Sequence, residues 1–323
     1  MERASPTGVV NAAPLVSVVV TTYNRAHLLG RALKSVLSQT MQDFEVIVVD
    51  DASQDDPAAV VDAFGDRRIR LVQLDSNHGA AGARGRGFAE ARGIYVANLD
   101  SDDEWLPEKL ERQLAVFESS KLPRLGVVYG GIVNVSEDGT EEVVPAVVRG
   151  DIQKDLLQRG YVVKGSFNTT LIRRSVLEEI GVQDLSNPCR EDFDYFLRIS
   201  QRYQFDCVPE PVVLITKFGG DRLTSSDRRR VLAYIRVLKR HKDLYLATPD
   251  SRYFIDHMMI AKHLAWMDRP QMAWKVYRYA LRRVPMPSLR WRHSRELLVV
   301  PQQILRAVGR KRRAAKELAK GRA

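Results

Sequence analysis

The sequence predicts an α/β protein with a mostly parallel central sheet flanked by helices, followed by a mainly α-helical, basic C-terminal section. Over roughly the first hundred residues, short β-branched runs alternate with amphipathic stretches, which is the pattern of βαβ units. Beyond about residue 222 the chain is rich in Arg, Leu and Ala with helical periodicity. A 45% hydrophobic content over 323 residues is ample for a packed core.

Four apolar runs in the first part predict buried strands: VSVVVTTY, FEVIVVDD, IRLVQLD and IYVANLD. A helix is expected after the first run, with Asn24 as its N-cap, and a second helix from Pro57 to Phe64. A glycine-rich turn and the helix GFAEARG should follow the third run. The order therefore predicts consecutive βαβ units.

The middle of the chain mixes element types. A helix is expected from Glu108 to Phe117, strands at LGVVYGGIVNV and VVPAVVRG, and an acidic cluster at CREDFDYFLRIS. Further on, VLAYIRVLKRH and HMMIAKHLAWM predict helices, and ELLVV is the one strand candidate in that part.

The charge changes sign along the chain. Residues 1–221 carry 24 Lys and Arg against 33 Asp and Glu, a balance of −9, whereas residues 222–323 carry 26 against 7, a balance of +19. We predict a flexible tail over 1–13, one domain over 14–221 (halves 14–105 and 106–221), and a basic helical region over 222–323, with the boundary near Asp221 to Asp227. A positive field of this kind attracts phosphate-bearing surfaces.

Composition also limits the location of the protein. Cys189 and Cys207 are too few for a disulfide framework and lack paired metal spacing, so a reducing compartment is favoured. No window has the apolar length of a signal peptide core or a membrane span. We expect a cytoplasmic protein, either soluble or peripheral on the cytoplasmic face of a membrane.

Each predicted strand of the first part ends in polar residues. In parallel sheets of this type, ligands bind beyond the carboxyl ends of the strands. The polar residues should therefore converge on one edge of the sheet: Thr21 and Tyr23, Asp50 and Asp51, Asp75 and Asn77, Asp100 and Asp102.

The last of these runs continues as the acidic stretch DSDDE, and carboxylates this close repel one another, so a positive group is expected among them. Asp100 and Asp102 form an Asp-x-Asp pair whose hard oxygens suit Mn²⁺ or Mg²⁺. Acidic turns of this type are common, so the pair gains meaning only from the motifs around it.

Those motifs occur in a specific order: TTYNR after the first strand, DDAS after the second, then NHGAAGARGRG, DSDDEWLP and EDFDYFLR. Together they resemble the family-2 glycosyltransferases, which have the nucleotide-sugar-binding GT-A fold with a Rossmann-like sheet. The resemblance covers about residues 14 to 225, roughly two thirds of the chain.

The resemblance implies a nucleoside diphosphate sugar as donor, most simply a UDP-sugar, and a divalent metal. By position, Thr21 and Tyr23 would line the base pocket, Asp51 would accept a hydrogen bond from the base, and Arg84 would lie near the base or phosphates. Arg25, Asp100 and Ser101 complete the donor-binding candidates. Asp100 and Asp102 would hold the metal, Asp102 more directly.

The resemblance also implies a general base. In the family the second acid of a Glu-Asp pair has this role, which makes Asp192 the catalytic candidate. One base and one metal suffice for single displacement, so an inverting, hexosyltransferase-type reaction on a hydroxyl of a glycan, glycolipid or other acceptor in surface polysaccharide synthesis is expected. The alternative is that the acids of this segment cap a helix.

Two positions depart from the family pattern. Phe218 stands about where many members have a metal-binding histidine after the last core strand, and Gly85 stands where asparagine is usual. These departures leave open which group completes the metal site.

Other functions remain open at this level. A nucleotidyltransferase also uses a Rossmann-like sheet, but TTYNRAHLLG is not the glycine-rich, basic loop it needs after the first strand. A nucleic-acid-binding protein has only the basic C-terminal third in its favour, so no nucleic acid is expected. The basic region could instead bind an anionic membrane surface, or form a helical lid or homo-oligomer contact.

Overall fold

A computed structural model describes residues 13–181, 183, 187, 189–216, 226–283 and 294–320. The chain divides into two compact units. We call the first the sheet unit (Met1–Val147, Phe167–Val182 and Asp206–Thr216) and the second the helical unit (Val148–Ser166, Gln183–Phe205 and Lys217–Ala323). The predicted boundary near Asp221 to Asp227 falls largely outside the described residues, so the division at 221 stays a prediction.

The sheet unit is built on a nine-stranded sheet. Its strands are β1 (Val16–Thr22), β2 (Phe44–Asp50), β3 (Ile69–Gln73), β4 (Tyr95–Asp100), β5 (Glu104–Trp105), β6 (Leu125–Val135), β7 (Glu141–Val144), β8 (Thr170–Arg173) and β9 (Gln204–Thr216). The spatial order is β3-β2-β1-β4-β8-β6-β9-β5, and β7 pairs with β6.

Strands β1 to β4 are parallel, and the strands beyond β4 join antiparallel. All seven residues of β1 and of β2 are buried, as expected for strands covered on both faces. The predicted α/β fold with a sheet flanked by helices is therefore confirmed.

The helices of this unit are α1 (Ala26–Leu37), α2 (Pro57–Phe64), α3 (Gly79–Glu90), α4 (Lys109–Ser119) and α6 (Arg174–Ile180). Helix α5 (Gln153–Arg159) belongs to the helical unit. The prediction of Asn24 as N-cap of α1 is wrong, because Arg25 holds that position. Asn24 has a φ of 50°, a left-handed conformation that asparagine tolerates. Its Oδ1 accepts a hydrogen bond from the Gln54 N–H at 2.7 Å.

The glycine-rich stretch before GFAEARG is helical, not the predicted turn. Helix α3 begins at Gly79 and includes most of this stretch. A Cβ at Gly87 would lie 2.2 Å from Val19 Cγ1, so glycine is needed there for α3 to lie close against β1. The glycine-rich composition therefore reflects helix-to-sheet packing.

Two further strand predictions are wrong. VVPAVVRG is a strand only as far as Val144, the residue before Pro145, which has no N–H to donate to a ladder. ELLVV belongs to a long helix, since a short apolar run does not distinguish a strand from a buried helix. In that helix Val300, Ile304 and Ala307 are buried at helical spacing.

The helical unit contains α5 together with α7 (Glu191–Ile199), α8 (Asp227–Arg240), α9 (Lys242–Ala247), α10 (Tyr253–Trp266), α11 (Pro270–Arg283) and α12 (Ser294–Lys320). Ser226 caps α8 through its Oγ, which accepts from the Arg229 N–H. The expected mainly helical C-terminal section is confirmed. Among the helices that the structure describes, none has the length and apolar character needed to cross a bilayer.

Candidate functional site

The carboxyl ends of the parallel strands meet at one edge of the sheet unit, as predicted. In the register of the sheet, Thr22 of β1 pairs with Asp50 of β2, and Thr21 pairs with Asp100 of β4. The Thr21 hydroxyl donates a hydrogen bond to Asp100 Oδ1 at 3.2 Å, which ties the ends of two neighbouring strands together. This edge brings together the predicted donor-binding residues of the first three motifs and the acidic turn, by which we mean residues 100–103 at the end of β4.

Arginines of α1 and of the turn before it neutralise the acidic turn after β4. Arg25 Nη1 lies 2.5 Å from Asp102 Oδ2. Arg31 donates to the Asp102 carbonyl oxygen at 3.0 Å and lies 3.2 Å from Glu104 Oε1. The positive groups that the acidic stretch requires are thus supplied at least in part by the protein itself.

Arg84 supplies a third positive charge from within α3. Its side chain is 4% exposed, and its Nη2 lies 3.7 Å from Asp100 Oδ1. The guanidinium carbon lies 4.4 Å from the centre of the Phe167 ring, a cation–π contact. Packing against Phe167 and the charge of Asp100 therefore fix Arg84 beside the acidic turn, on a helix instead of the predicted loop.

Asn168 is the residue of this site that the sequence did not reveal. Its Oδ1 accepts from the Asp100 N–H at 3.0 Å, and its Nδ2 donates to Asp100 Oδ2 at 3.2 Å and to Asp103 Oδ2. Its carbonyl oxygen accepts from Trp105 Nε1 at 3.0 Å. Asn168 is 4% exposed and holds both ends of the acidic turn in place.

Asp103 belongs to the support of the turn. It is 6% exposed and hydrogen-bonded to Asn168. Burial, reinforced by the charges of Asp100 and Asp102, raises the pKa of the Asp103 carboxyl well above its usual range. Its neighbours Asp100 and Asp102 keep 38% and 26% of their side chains exposed, so both carboxylates are accessible to a ligand.

Asp51 directly follows β2, and its side chain reaches the start of α3. There its Oδ1 accepts a hydrogen bond from the His78 N–H at 2.7 Å. Burial raises the pKa of this carboxyl despite that hydrogen bond. Nearby, the Tyr23 side chain is 43% exposed beyond the end of β1, whereas Ser101 is buried and its N–H donates to the Thr21 carbonyl at 3.1 Å. Tyr23 is thus free to stack on a ligand, and Ser101 shapes the turn.

The exposed carboxylates of the acidic turn are candidate ligands for a divalent cation. Asp100 and Asp102 offer hard carboxylate oxygens with exposed surface, which fits Mn²⁺ or Mg²⁺. Within the described residues, no group of three or more His, Cys, Asp or Glu side chains could hold a metal. Among the described residues, Asp100 and Asp102 could therefore supply two carboxylate ligands to such a cation. Phe218, the position of the missing histidine, lies outside the described residues.

The catalytic candidate Asp192 lies in the helical unit, in the first turn of α7. Its Oδ1 accepts from the Phe193 N–H at 2.7 Å. Its neighbour Asp194 is almost fully buried, where it pairs with Arg240 at 2.7 Å and His241 at 2.9 Å. Asp194 is therefore structural, whereas Asp192 is only partly buried.

An aromatic ring lies close to this helix start. The Tyr161 ring centre is 5.4 Å from that of Phe193, and Tyr161 is 36% exposed. Although part of the Tyr161 side chain is exposed, the protein around it partly desolvates the phenol, and this desolvation, with the nearby charge of Asp192, raises the pKa of Tyr161 well above its usual range. Tyr161 therefore lies near the charge of Asp192 at the start of α7.

A parallel sheet whose strands end in polar residues, with an acidic turn at the same edge, is typical of α/β proteins that bind ligands beyond the carboxyl ends of their strands. The family model for "Glycosyl transferase family 2" matches residues 17–181, which contain β2 to β4, all of β1 except Val16, and the acidic turn. The chain therefore belongs to glycosyl transferase family 2.

One similar curated protein is the succinoglycan biosynthesis protein ExoO of Rhizobium meliloti (strain 1021), 45% identical over 105 residues, which is 32% of this chain and 30% of that protein. The chain spans about a third to a half of the length of such relatives.

Solved structures share the fold. TarS 1–349 of S. aureus, crystallised with UDP-GlcNAc, has a TM-score of 0.57 at 18% identity and covers 83% of this chain and 87% of its own. The mannosyltransferase PcManGT of Pyrobaculum calidifontis, in complex with GDP-Man and Mn²⁺, has a TM-score of 0.53 at 17% identity and covers 92% of this chain and 87% of its own. The expected GT-A fold is thereby confirmed.

Proposed function

We propose that this chain is a metal-dependent, inverting glycosyltransferase that moves a sugar from a nucleoside diphosphate sugar to an acceptor hydroxyl. The observation that carries the proposal is the edge of the sheet unit where Thr21 and Asp100 meet. There, exposed carboxylates and buried arginine charge lie together beyond parallel strands, within the part of the chain that matches the family. Such an edge suits a ligand with a diphosphate group.

Donor binding is assigned to this edge. Tyr23 would stack on the base, Asp51 would accept a hydrogen bond from it, and Arg25 and Arg84 would approach the phosphates. A UDP-sugar is the proposed donor class, in keeping with the UDP-GlcNAc bound to the similar fold of TarS. Guanidinium groups are suited to phosphate oxygens because they donate two parallel hydrogen bonds.

Asp100 and Asp102 would hold a Mn²⁺ or Mg²⁺ ion, which would stabilise the charge that develops on the departing diphosphate. The Mn²⁺ complex of PcManGT supports the choice of ion. Because Arg25 pairs with Asp102, this ion pair must open or rearrange for Asp102 to act as a ligand. Arg25 would then be released toward the negative charge of the donor.

Asp192 is the proposed general base, which takes the proton of the acceptor hydroxyl as the new bond forms at the sugar carbon. With one base and no covalent sugar-enzyme intermediate, the reaction is a single displacement and inverts the sugar carbon.

The proposed acceptor is a glycan or glycolipid of surface polysaccharide synthesis, as the name of ExoO suggests. We assign the protein to the cytoplasmic face of a membrane, to which the basic region 222–323 attaches it. Attraction of basic residues to anionic lipid supports this assignment.

Release of nucleoside diphosphate from a panel of sugar nucleotides, in the presence of glycan and glycolipid acceptors and with and without Mn²⁺, tests the function. Metal-dependent release from donors of one base, together with a product of opposite anomeric configuration, is the expected result. Absence of release from every donor, while the protein stays folded, would overturn the proposal.

A further inference from the structure

An apolar groove of about 540 Å³ lies within the helical unit between α8, α10 and α11. Its volume is in the range of small-ligand pockets. Each helix contributes residues at helical spacing, so the groove is lined by three apolar stripes. Prominent lining residues are Ile235, Ile260, Leu264, Met272, Val276 and Tyr279.

Several of these side chains are exposed to solvent. Ile235 is 44% exposed, Met272 is 53% exposed and Tyr279 is 39% exposed. Large apolar side chains that are adjacent and exposed indicate a surface that another molecule covers. The groove therefore presents apolar surface that an apolar occupant would cover.

The charged residues that line the groove are all positive. Lys239, Lys242 and Lys275 line it, and among its described lining residues none is acidic. The surrounding residues 226–283 carry 14 Lys and Arg against five Asp and Glu. Three of those acids are engaged elsewhere, in contacts of Asp227 with His263, Asp256 with Arg252 and Asp268 with Arg310. The occupant should accordingly be anionic as well as apolar.

We propose that this groove binds one acyl chain of an anionic membrane phospholipid, with Lys239, Lys242 and Lys275 around its phosphate. Lysine suits this position because its aliphatic stem packs along apolar surface while its ammonium reaches the headgroup. A second copy of the chain is a poor occupant, because a symmetric contact would bring the same lysines face to face. The inference rests on the membrane attachment proposed above and not on the transfer reaction.

The charged part is tested by flotation with two kinds of vesicle, phosphatidylcholine alone and an equal mixture of phosphatidylcholine and phosphatidylglycerol. The unmodified protein, called the parent below, should bind only the vesicles that contain phosphatidylglycerol. The triple variant K239Q/K242Q/K275Q should bind it on the order of a hundredfold more weakly, since each basic residue near an anionic surface contributes about a fivefold factor. The control R228Q/R229Q/R278Q removes equal charge from exposed positions of α8 and α11 outside the lining.

The apolar part is tested with monomeric dihexanoyl phosphatidylglycerol, whose binding is measured by calorimetry. I235N/M272N should lose this binding, whereas L232N/L246N, which changes leucines that are equally exposed but outside the lining, should keep it. All four changes are at exposed positions, and thermal unfolding checks that the variants are folded.

The outcomes separate the two proposals. No binding of the parent to anionic vesicles would overturn both the membrane attachment and the groove. Vesicle binding that falls equally in both charge triples, or monomeric lipid binding that survives I235N/M272N, would overturn the groove alone and leave a general electrostatic attachment. Neither result bears on nucleotide binding or sugar transfer.

Discussion

Arg25 and Asp102 form an ion pair at the strand-end edge of the sheet unit, with Arg25 Nη1 2.5 Å from Asp102 Oδ2. The proposed metal ligand is thus paired with a positive charge that the protein itself supplies. A cation must compete with Arg25 for this carboxylate, whereas a diphosphate can take up the arginine as it brings the cation in. Metal and donor should therefore bind cooperatively.

Replacing Arg25 with Gln should relieve that competition. We expect R25Q to bind Mn²⁺ in the absence of nucleotide several-fold more tightly than the parent, since a competing charge near an exposed carboxylate is worth on the order of 1 kcal/mol. The same variant should bind nucleoside diphosphate less tightly. Titration of Mn²⁺ followed by electron paramagnetic resonance measures the first effect. The control is R86Q, which removes an exposed arginine of α3 that pairs with Glu90. Equal Mn²⁺ affinities of R25Q and R86Q would contradict the competition.

Asn168 should matter to both stability and the site. N168A leaves the Asp100 N–H without its hydrogen-bond partner and removes one of the partners of the buried Asp103 carboxyl, so we expect a loss of about 2 kcal/mol in the free energy of unfolding. Because the acidic turn loses its support, metal-dependent nucleotide affinity should fall too. Urea unfolding and calorimetry measure the two effects. If N168A were as stable as the unmodified protein and had the same metal-dependent nucleotide affinity, Asn168 would not be needed to support the acidic turn.

Glu45 provides a pH dependence of stability away from the strand-end edge. Although burial opposes it, hydrogen bonds from Arg92 and Ser17 hold the pKa of this carboxyl below its ordinary 4.5. A group whose pKa is lowered on folding stabilises the protein above its unfolded pKa, and this contribution is lost as the pH falls through the folded pKa.

The comparison of the parent with E45Q isolates that contribution. The parent should exceed E45Q in free energy of unfolding by about 2 kcal/mol at neutral pH, and the difference should shrink below about pH 4.5. Urea unfolding at a series of pH values measures it, and nucleotide affinity should not change. A difference that grew on acidification would contradict the sign of the pKa shift.

Asp192 should be required for transfer and dispensable for donor binding. D192N is expected to lose on the order of 10²- to 10⁴-fold in transfer rate, the usual contribution of a general base, while its nucleotide affinity stays that of the parent. E191Q, a change at the adjacent acid in the same helical turn, is the matched control and should remain active. Transfer by D192N at nearly the parental rate would assign the base elsewhere.

Much of the sheet unit could be predicted because its signals are local. Strands β1 to β4 are long apolar runs with polar ends, and these runs determine both the strands and the edge where Asp51 and Asp100 lie. The acidic turn likewise required positive partners on electrostatic grounds alone. The identity of those partners depended on tertiary structure.

The remaining features depend on contacts distant in sequence. Asn168 is one polar residue in SFNTT, with no pattern that marks it, and its partner Asp100 lies 68 positions away. The glycine-rich stretch became α3 because Gly87 fits against Val19, which outweighs the poor helix propensity of glycine. The sequence alone does not distinguish Asp194 from Asp192, because both are acids of the same segment. Only the contacts of Asp194 with Arg240 and His241 show that its role is structural.

Calorimetric titration of UDP, GDP, CDP and dTDP, each with and without Mn²⁺, into the parent and D102N tests the central claim most directly. The account predicts that one nucleotide binds the parent in a Mn²⁺-dependent manner and that D102N loses the Mn²⁺-dependent part. Binding of a nucleotide to folded D102N with the same Mn²⁺ dependence as the parent would contradict the metal site. A parent that bound none of the four would contradict the nucleotide site itself.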